Sequence, residues 1–115
     1  MIEYNFLQDN NWRPYFSTSN KYSMLWQLSW IETWYIKEIV AQLEAIREKE
    51  RESYDFWSGE STYIECYAKW DKPYSWKVFI SYDWGKKQLE VPFEDIYNLM
   101  KDWKEYIEEW EKEQK

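Results

Sequence analysis

The sequence predicts an α+β fold, in which a three- to four-stranded antiparallel meander packs against a long N-terminal helix and a C-terminal helix. Two stretches have apolar residues at helical spacing, and short segments between them alternate apolar and polar residues, as half-buried strands do. The length, 115 residues, is that of one domain spanning 1–115. The compact arrangement for the order α-β-β-β-α is one antiparallel sheet with both helices packed on it.

The N-terminal segment, residues 1–22, is mostly polar. Residues 2–7 are compatible with a short extra strand. The stretch that follows contains Pro14 and a cluster of Ser, Thr and Asn. Such clusters are typical of loops, so we expect a loop over 8–23.

Residues 23–52 predict one long helix, because they contain neither Pro nor Gly and carry an apolar stripe at helical spacing. A helix of about 30 residues would be about 45 Å long, which exceeds a compact domain of this size. We therefore expect the all-charged end, 47–52, to fray or bend. The stripe consists of Met24, Leu28, Ile31, Tyr35, Ile39, Leu43 and Ile46.

The β-meander is expected over residues 61–91, after a connection over 53–60. Its segments alternate apolar and polar residues, with Ile64 and Val78 on the inward face. Turns are indicated at 71–73 and 83–86 by Asp, Pro and Gly. The expected strands cover residues 61–69, 75–82 and 87–91.

The C-terminal helix is expected over residues 93–112. Pro92 suits a helix start, and apolar residues follow at spacings of three and four. Oppositely charged pairs such as Lys101 and Glu105 occupy the other face.

The composition excludes several kinds of chemistry. The chain has no His, which removes a Ser-His-Asp triad, a Cys-His pair and any His-ligated metal. Its one cysteine, Cys66, cannot form an intramolecular disulfide or a Cys-rich zinc site. No catalytic residue, metal or cofactor is expected. No apolar run approaches the roughly 20 residues that span a bilayer, and the start does not have the pattern of a secretory signal, so we expect a soluble cytoplasmic protein.

The charge balance bears on the class of partner. With 22 acidic and 15 basic residues the net charge is −7. This argues against direct binding of nucleic acid, because affinity for phosphates comes largely from Lys and Arg. A basic protein partner is favoured, since opposite fields speed encounter. The alternative is that the acidic balance only keeps the domain soluble.

A stripe of tryptophans is the first candidate binding feature. Trp26, Trp30 and Trp34 recur every four residues on the predicted long helix, on a flank beside its core face. Large aromatic residues are frequent anchors of protein interfaces. The competing interpretation makes the stripe part of a wide core, with Trp34 the most structural of the three.

The second candidate is the far face of the sheet. Tyr63, Glu65, Tyr67 and Phe79 point there, and the face stays open if both helices pack on the other side. A helix on each face is the alternative. The turn residues Asp83 and Trp84 complete the expected partner-binding set.

Single acidic positions give a weaker signal. Glu32 falls inside the apolar arc of the predicted long helix, where a buried carboxylate needs a partner and can serve as a catalytic acid. We prefer a place at the edge of the arc, reaching solvent or a Lys. A further hypothesis is that Asp71, Asp83, Glu94 and Asp95 converge at one end of the sheet.

Half of the chain has a general resemblance to known inhibitors. The stretch from Tyr63-Ile64-Glu65-Cys66 through Val91-Pro92-Phe93-Glu94-Asp95-Ile96, in a small, acidic, aromatic-rich chain, resembles immunity proteins of bacterial toxin systems and phage-encoded inhibitors of bacterial defence nucleases. The resemblance implies tight, stoichiometric inhibition of a nucleic-acid-handling enzyme, with carboxylates standing in for phosphates.

The leading hypothesis is therefore a non-enzymatic acidic inhibitor of a basic nuclease or other nucleic-acid-binding enzyme. One alternative is a small-ligand or carbohydrate-binding module, which a concave aromatic pocket would favour. Another is a structural protein that hides the tryptophan stripe in a homodimer.

Overall fold

The computed structural model describes residues 3–8, 13–18, 20–58, 62–67 and 76–114. It is an α+β protein with a two-stranded and a four-stranded sheet, both antiparallel, so the predicted α+β class is confirmed. The predicted single meander and long N-terminal helix agree with the structure only in part. The helices are a 3₁₀ helix (Asn20–Trp30), α1 (Thr33–Arg47) and α2 (Phe93–Glu113). The strands are β1 (Tyr4–Leu7), β2 (Tyr15–Thr18), β3 (Ser53–Ser58), β4 (Thr62–Tyr67), β5 (Lys77–Tyr82) and β6 (Lys87–Pro92).

The four-stranded sheet is a meander of order β3-β4-β5-β6. Side chains alternate along β4, where Ile64 and Cys66 are fully buried and their neighbours are half-buried. The inward face predicted from Ile64 and Val78 is therefore correct. The last three strands lie within or next to their predicted ranges.

Strand β3 corrects the prediction of a connection over 53–60. Phe56 and Ser58 are buried, whereas Asp55 and Trp57 are exposed, so the segment does alternate. An outward Trp beside an inward Ser conceals that period when only hydrophobicity is considered. Pairing with β4, in which Phe56 lies opposite Ile64, gives the segment its strand structure.

The predicted long helix over 23–52 is in fact two helices. The 3₁₀ helix ends at Trp30, and Glu32 is extended, with φ −62° and ψ 146°, before α1 begins at Thr33. No Pro or Gly marks this break. The other end agrees better with expectation, because α1 ends at Arg47 and the backbone at Lys49 is left-handed, with φ 63°.

The N-terminal hairpin corrects the predicted loop over 8–23. Strand β1 lies inside the 2–7 range compatible with a strand, but β2 occupies part of the expected loop. The two strands pair antiparallel, with Phe6 opposite Phe16. Both rings contact Trp103 of α2, at centroid distances of 5.3 and 5.1 Å, so burial against α2 stabilises a hairpin whose second strand the sequence pattern does not indicate.

The core lies between the two α-helices and one face of the sheet. α2 agrees with the predicted range of 93–112 and buries its apolar stripe, with Trp103 fully inaccessible to solvent. Among the described elements, no helix covers the opposite face, on which Tyr63, Glu65, Tyr67 and Phe79 are half-buried. Within the described ranges, no helix is both long and apolar enough to cross a membrane.

Candidate partner-binding site

A groove lined with tryptophans lies beside the edge strand β3. Its volume is about 580 Å³. Four exposed indoles line it: Trp26, Trp30, Trp34 and Trp57 are 46%, 55%, 67% and 54% exposed. We call this site the tryptophan groove. Its other lining residues are Gln27, Ile31, Glu32, Tyr35 and Ser58.

The break between the two helices brings the predicted tryptophans together. In a 3₁₀ helix, with three residues per turn, residues four apart do not share a face. Trp26 and Trp30 nevertheless contact each other edge to face, with centroids 6.2 Å apart and an interplanar angle of 87°. Trp34 belongs to α1. The three are therefore neighbours, but not as a stripe on one helix, and none is part of the core.

The indoles that line the groove pack against neighbouring aromatic rings. Trp34 stacks on Tyr35 at 5.4 Å, and Tyr35 meets the buried Phe56 edge to face at 6.4 Å. On the sheet side, Trp57 packs on Tyr63 at 4.7 Å. The sequence pattern does not identify Trp57 as a site residue, because it predicts a connection over 53–60. The alternation along Tyr54-Asp55-Phe56-Trp57-Ser58 is the signal that could have identified it.

Glu32 is an exposed residue of the groove. Its carboxylate accepts a hydrogen bond from Nε1 of Trp34. It therefore lies outside the apolar core and reaches solvent. Among the residues that the structure describes, no Lys or Arg lines the groove, so this part of the lining combines aromatic surface with one negative charge.

Arg13 holds the helix break that forms one wall of the groove. Its guanidinium donates hydrogen bonds to the carbonyl oxygens of Ser29 and, at 2.8 Å, Ile31. A cation at the carbonyl end of a helix is electrostatically favourable. Burial lowers the pKa of Arg13, and the charges of Glu111 and Glu32 oppose that shift.

Two side-chain hydroxyl groups of the sheet form hydrogen bonds with the 3₁₀ helix beside the groove. Ser58 Oγ donates to the carbonyl oxygen of Gln27 at 3.3 Å, and Thr62 Oγ1 donates to Oε1 of Gln27 at 3.0 Å. Both hydroxyl-bearing residues are buried. The groove is therefore built between two elements whose separation is set by specific hydrogen bonds.

The open face of the sheet adjoins the groove through Trp57. We define the open face by the outward residues of the meander. Across the strands, Asp55, Glu65, Phe79 and Glu90 form one register row. Around this row lie Trp57, Tyr63, Tyr67 and Lys77. Three carboxylates and several aromatic rings thus share one face of the sheet.

Hydrogen bonds and an ion pair organise the open face. Tyr63 donates its hydroxyl proton to Asp55, and Tyr67 donates to Glu65 at 2.7 Å. The hydrogen bond to Asp55, followed by burial, raises the pKa of Tyr63 to about 12. Lys77 pairs with Glu90 at 2.9 Å. Carboxylate positions are thereby held by their neighbours on the sheet.

The predicted turn residues Asp83 and Trp84 lie at the same end of the sheet as Trp57. The β3–β4 and β5–β6 connections follow the paired residues Ser58–Thr62 and Tyr82–Lys87, and alternate connections of a meander share one end. Both turn residues have left-handed backbone, with φ 53° and 57°. Trp84 is 69% exposed.

The expected convergence of four acidic residues is wrong in part. Asp83 lies at the end of the sheet near Trp57, whereas Glu94 and Asp95 begin α2 at the other end, directly after β6. Asp71 lies outside the described residues. Within the described ranges, no group of three or more His, Cys, Asp and Glu residues could hold a metal ion.

Cys66 is not positioned as an accessible nucleophile. It is fully buried in the sheet, and burial raises the pKa of its thiol. The exposed chemistry of the site therefore consists of ring faces, tyrosine hydroxyls and carboxylates. These groups can stack, pair with cations and accept hydrogen bonds.

Comparisons of this chain with protein-family models, with curated proteins and with solved structures give no match.

Proposed function

We propose that this chain is a non-enzymatic acidic inhibitor, acting in the cytoplasm, that binds and neutralises a basic nucleic-acid-handling enzyme. The observation that carries the proposal is the continuity of the tryptophan groove with the open face. Trp57 belongs to both surfaces, so one partner can contact indoles and carboxylates together.

The exposed indoles supply the binding energy in this proposal. Trp26, Trp30, Trp34 and Trp57 are each about half exposed or more. Clustered exposed apolar surface marks interaction sites on soluble proteins, and Trp is strongly enriched among the residues that dominate binding energy. Because these rings are already exposed in the folded domain, a partner can cover them and remove them from water without any change in the fold.

The carboxylates supply selection of the partner. Asp55, Glu65 and Glu90 project from neighbouring strands, and the chain carries a net charge of −7. Such a field steers a basic partner toward the surface and repels acidic ones. A cleft that binds nucleic acid presents Lys and Arg to phosphates. Carboxylates on the sheet can form ion pairs with those same Lys and Arg side chains.

The test combines capture with an activity assay. The immobilised chain is used as bait for lysate proteins, and each retained nucleic-acid enzyme is purified and assayed with increasing amounts of the chain. We expect activity to fall until the two proteins are equimolar. Trp30→Ala and Glu65→Gln should each weaken inhibition, whereas Glu44→Gln, an exposed change on α1, should not. Full enzyme activity in the presence of excess chain would contradict the proposal.

A small-ligand module is the second candidate, favoured by the concave shape of the groove. Indole faces stack on sugar rings as well as on protein groups, and Gln27 and Ser58 add polar groups to the lining. Titration of Trp fluorescence with neutral oligosaccharides tests this candidate. Saturable binding that Trp30→Ala abolishes would favour it over the inhibitor. Sedimentation at several concentrations tests the homodimer in the same preparation.

A further inference from the structure

We propose that the tryptophan groove is a receptor for an arginine side chain of the basic protein partner, with the guanidinium against the indole faces and paired with Glu32. This inference rests on the proposed function and specifies the group that the groove recognises. It follows from the arrangement of charge within the groove.

The groove offers a cation two attractive surfaces at once. The indoles of Trp30 and Trp34 are more than half exposed, and a ring face attracts a cation placed over it. Between them in sequence lies Glu32, whose carboxylate is oriented by the Nε1 donor of Trp34. The negative charge is therefore held at the rim of the aromatic surface.

The described lining of the groove supplies no cation of its own. None of the described residues that line it is Lys or Arg. Arg13 lies close enough for Glu32 to affect its pKa, but its guanidinium is half-buried and donates to the carbonyl oxygens of Ser29 and Ile31. Charge complementarity with the described part of the lining therefore favours a cation that the partner supplies.

Guanidinium fits this environment better than ammonium. It is planar, stacks on aromatic rings, is weakly hydrated and donates several hydrogen bonds in one plane to a carboxylate. An ammonium is compact and strongly hydrated, so the indoles would have to displace more tightly bound water. A neutral sugar would use the ring faces but would gain no ion pair from Glu32.

The experiment uses the ¹⁵N-labelled full chain and a pair of short peptides. One peptide is acetyl-Gly-Arg-Gly-amide, and the other replaces Arg by citrulline, its neutral isostere. Indole N–H resonances report on the groove directly. We expect saturable shifts of Trp30 and Trp34 with the arginine peptide, and binding of the citrulline peptide weaker by about three- to tenfold.

Variants separate the ion pair from the aromatic surface. Glu32→Gln should weaken binding of the arginine peptide by about three- to tenfold, while Glu44→Gln on the same chain leaves it unchanged. Equal affinity for both peptides, equal affinity of Glu32→Gln and wild type, or shifts confined to the open face would each overturn the assignment. Circular dichroism of each variant verifies that it is folded.

The activity assay of the captured enzyme distinguishes failure of the arginine assignment from failure of the proposed inhibitor function. If Trp30→Ala and Glu32→Gln inhibit as well as wild type, the arginine assignment is overturned and the inhibitor function stands. If the groove selects arginine over citrulline but no enzyme is inhibited, the assignment is supported and the inhibitor function is overturned.

Discussion

The indole N–H of Trp34 donates a hydrogen bond to the carboxylate of Glu32, two residues earlier in the chain. Glu32 is the extended residue that precedes α1, and Trp34 lies in the first turn of that helix. The interruption of the predicted long helix therefore places a carboxylate beside an exposed ring. In one continuous helix, residues two apart are rotated by about 200° around the axis and so point in nearly opposite directions.

Trp34→Phe tests this relationship, because Phe keeps a ring face and removes the N–H donor. We expect weaker binding of the arginine peptide by about two- to fivefold, since the carboxylate of Glu32 loses its orienting partner. Both residues are exposed, so the melting temperature should stay nearly constant. NMR titration and a thermal melt measure the two quantities. A large drop in melting temperature would show that the contact is structural instead.

Trp30→Ala tests whether the groove binds the partner or stabilises the fold. Because Trp30 is 55% exposed, we expect the free energy of unfolding to change by less than about 1 kcal/mol. Affinity for the partner should fall at least about tenfold, as expected for an interface anchor. Trp103→Ala is the contrasting variant: its ring is fully buried, so it should lose about 3–5 kcal/mol of stability. Urea unfolding compares them, and similar losses would place Trp30 in the core.

Trp84→Gly should stabilise the fold slightly and weaken binding of the partner. A bulky residue at φ 57° is strained by roughly 1 kcal/mol relative to Gly, and its exposed ring gives little packing in return. We therefore expect urea unfolding to show a gain of up to about 1 kcal/mol, reduced by the greater entropy of Gly in the unfolded chain. A clear loss of stability would indicate that the ring packs against the domain.

Stability should fall between pH 10 and 12. Burial first, and then Tyr35 and Glu38, raise the pKa of Tyr54 from 10.0 to about 12. The folded chain thus holds this proton more tightly than the unfolded chain does. Its contribution to stability is complete below pH 10 and is lost as the pH rises toward 12. Urea unfolding at pH 9, 10 and 11 measures the slope, and Tyr54→Phe should make that slope shallower. An unchanged slope in this variant would count against the assignment.

Cys66 should react only when the chain unfolds. Its side chain is inaccessible to solvent, and burial raises the pKa of its thiol, so little reactive thiolate forms. We expect the rate of modification by Ellman's reagent at pH 8 to be very low and to rise with urea along the unfolding curve. Rapid modification in the absence of urea would show local opening of β4.

Local patterns predicted the elements with the clearest periodicity. The helix over 93–112 and the inward faces of β4 and β5 follow directly from the order of apolar residues. Each element can bury its apolar side in only one orientation. For Trp26 and Trp30, the place beside the predicted core face leaves open whether they are exposed or part of a wide core, and the structure has both exposed. Local sequence therefore determined which surfaces are apolar and which are charged.

Tertiary structure decided where the chain breaks and what its surfaces form together. Arg13 binds the carbonyl oxygens of Ser29 and Ile31, a contact from a distant segment that no helical pattern over 23–52 can indicate. Strand β3 depends on pairing with β4, and that pairing brings Trp57 to the groove. The tryptophans thus form one groove because non-local hydrogen bonds and strand pairing bring the elements together, whereas sequence periodicity describes one element at a time.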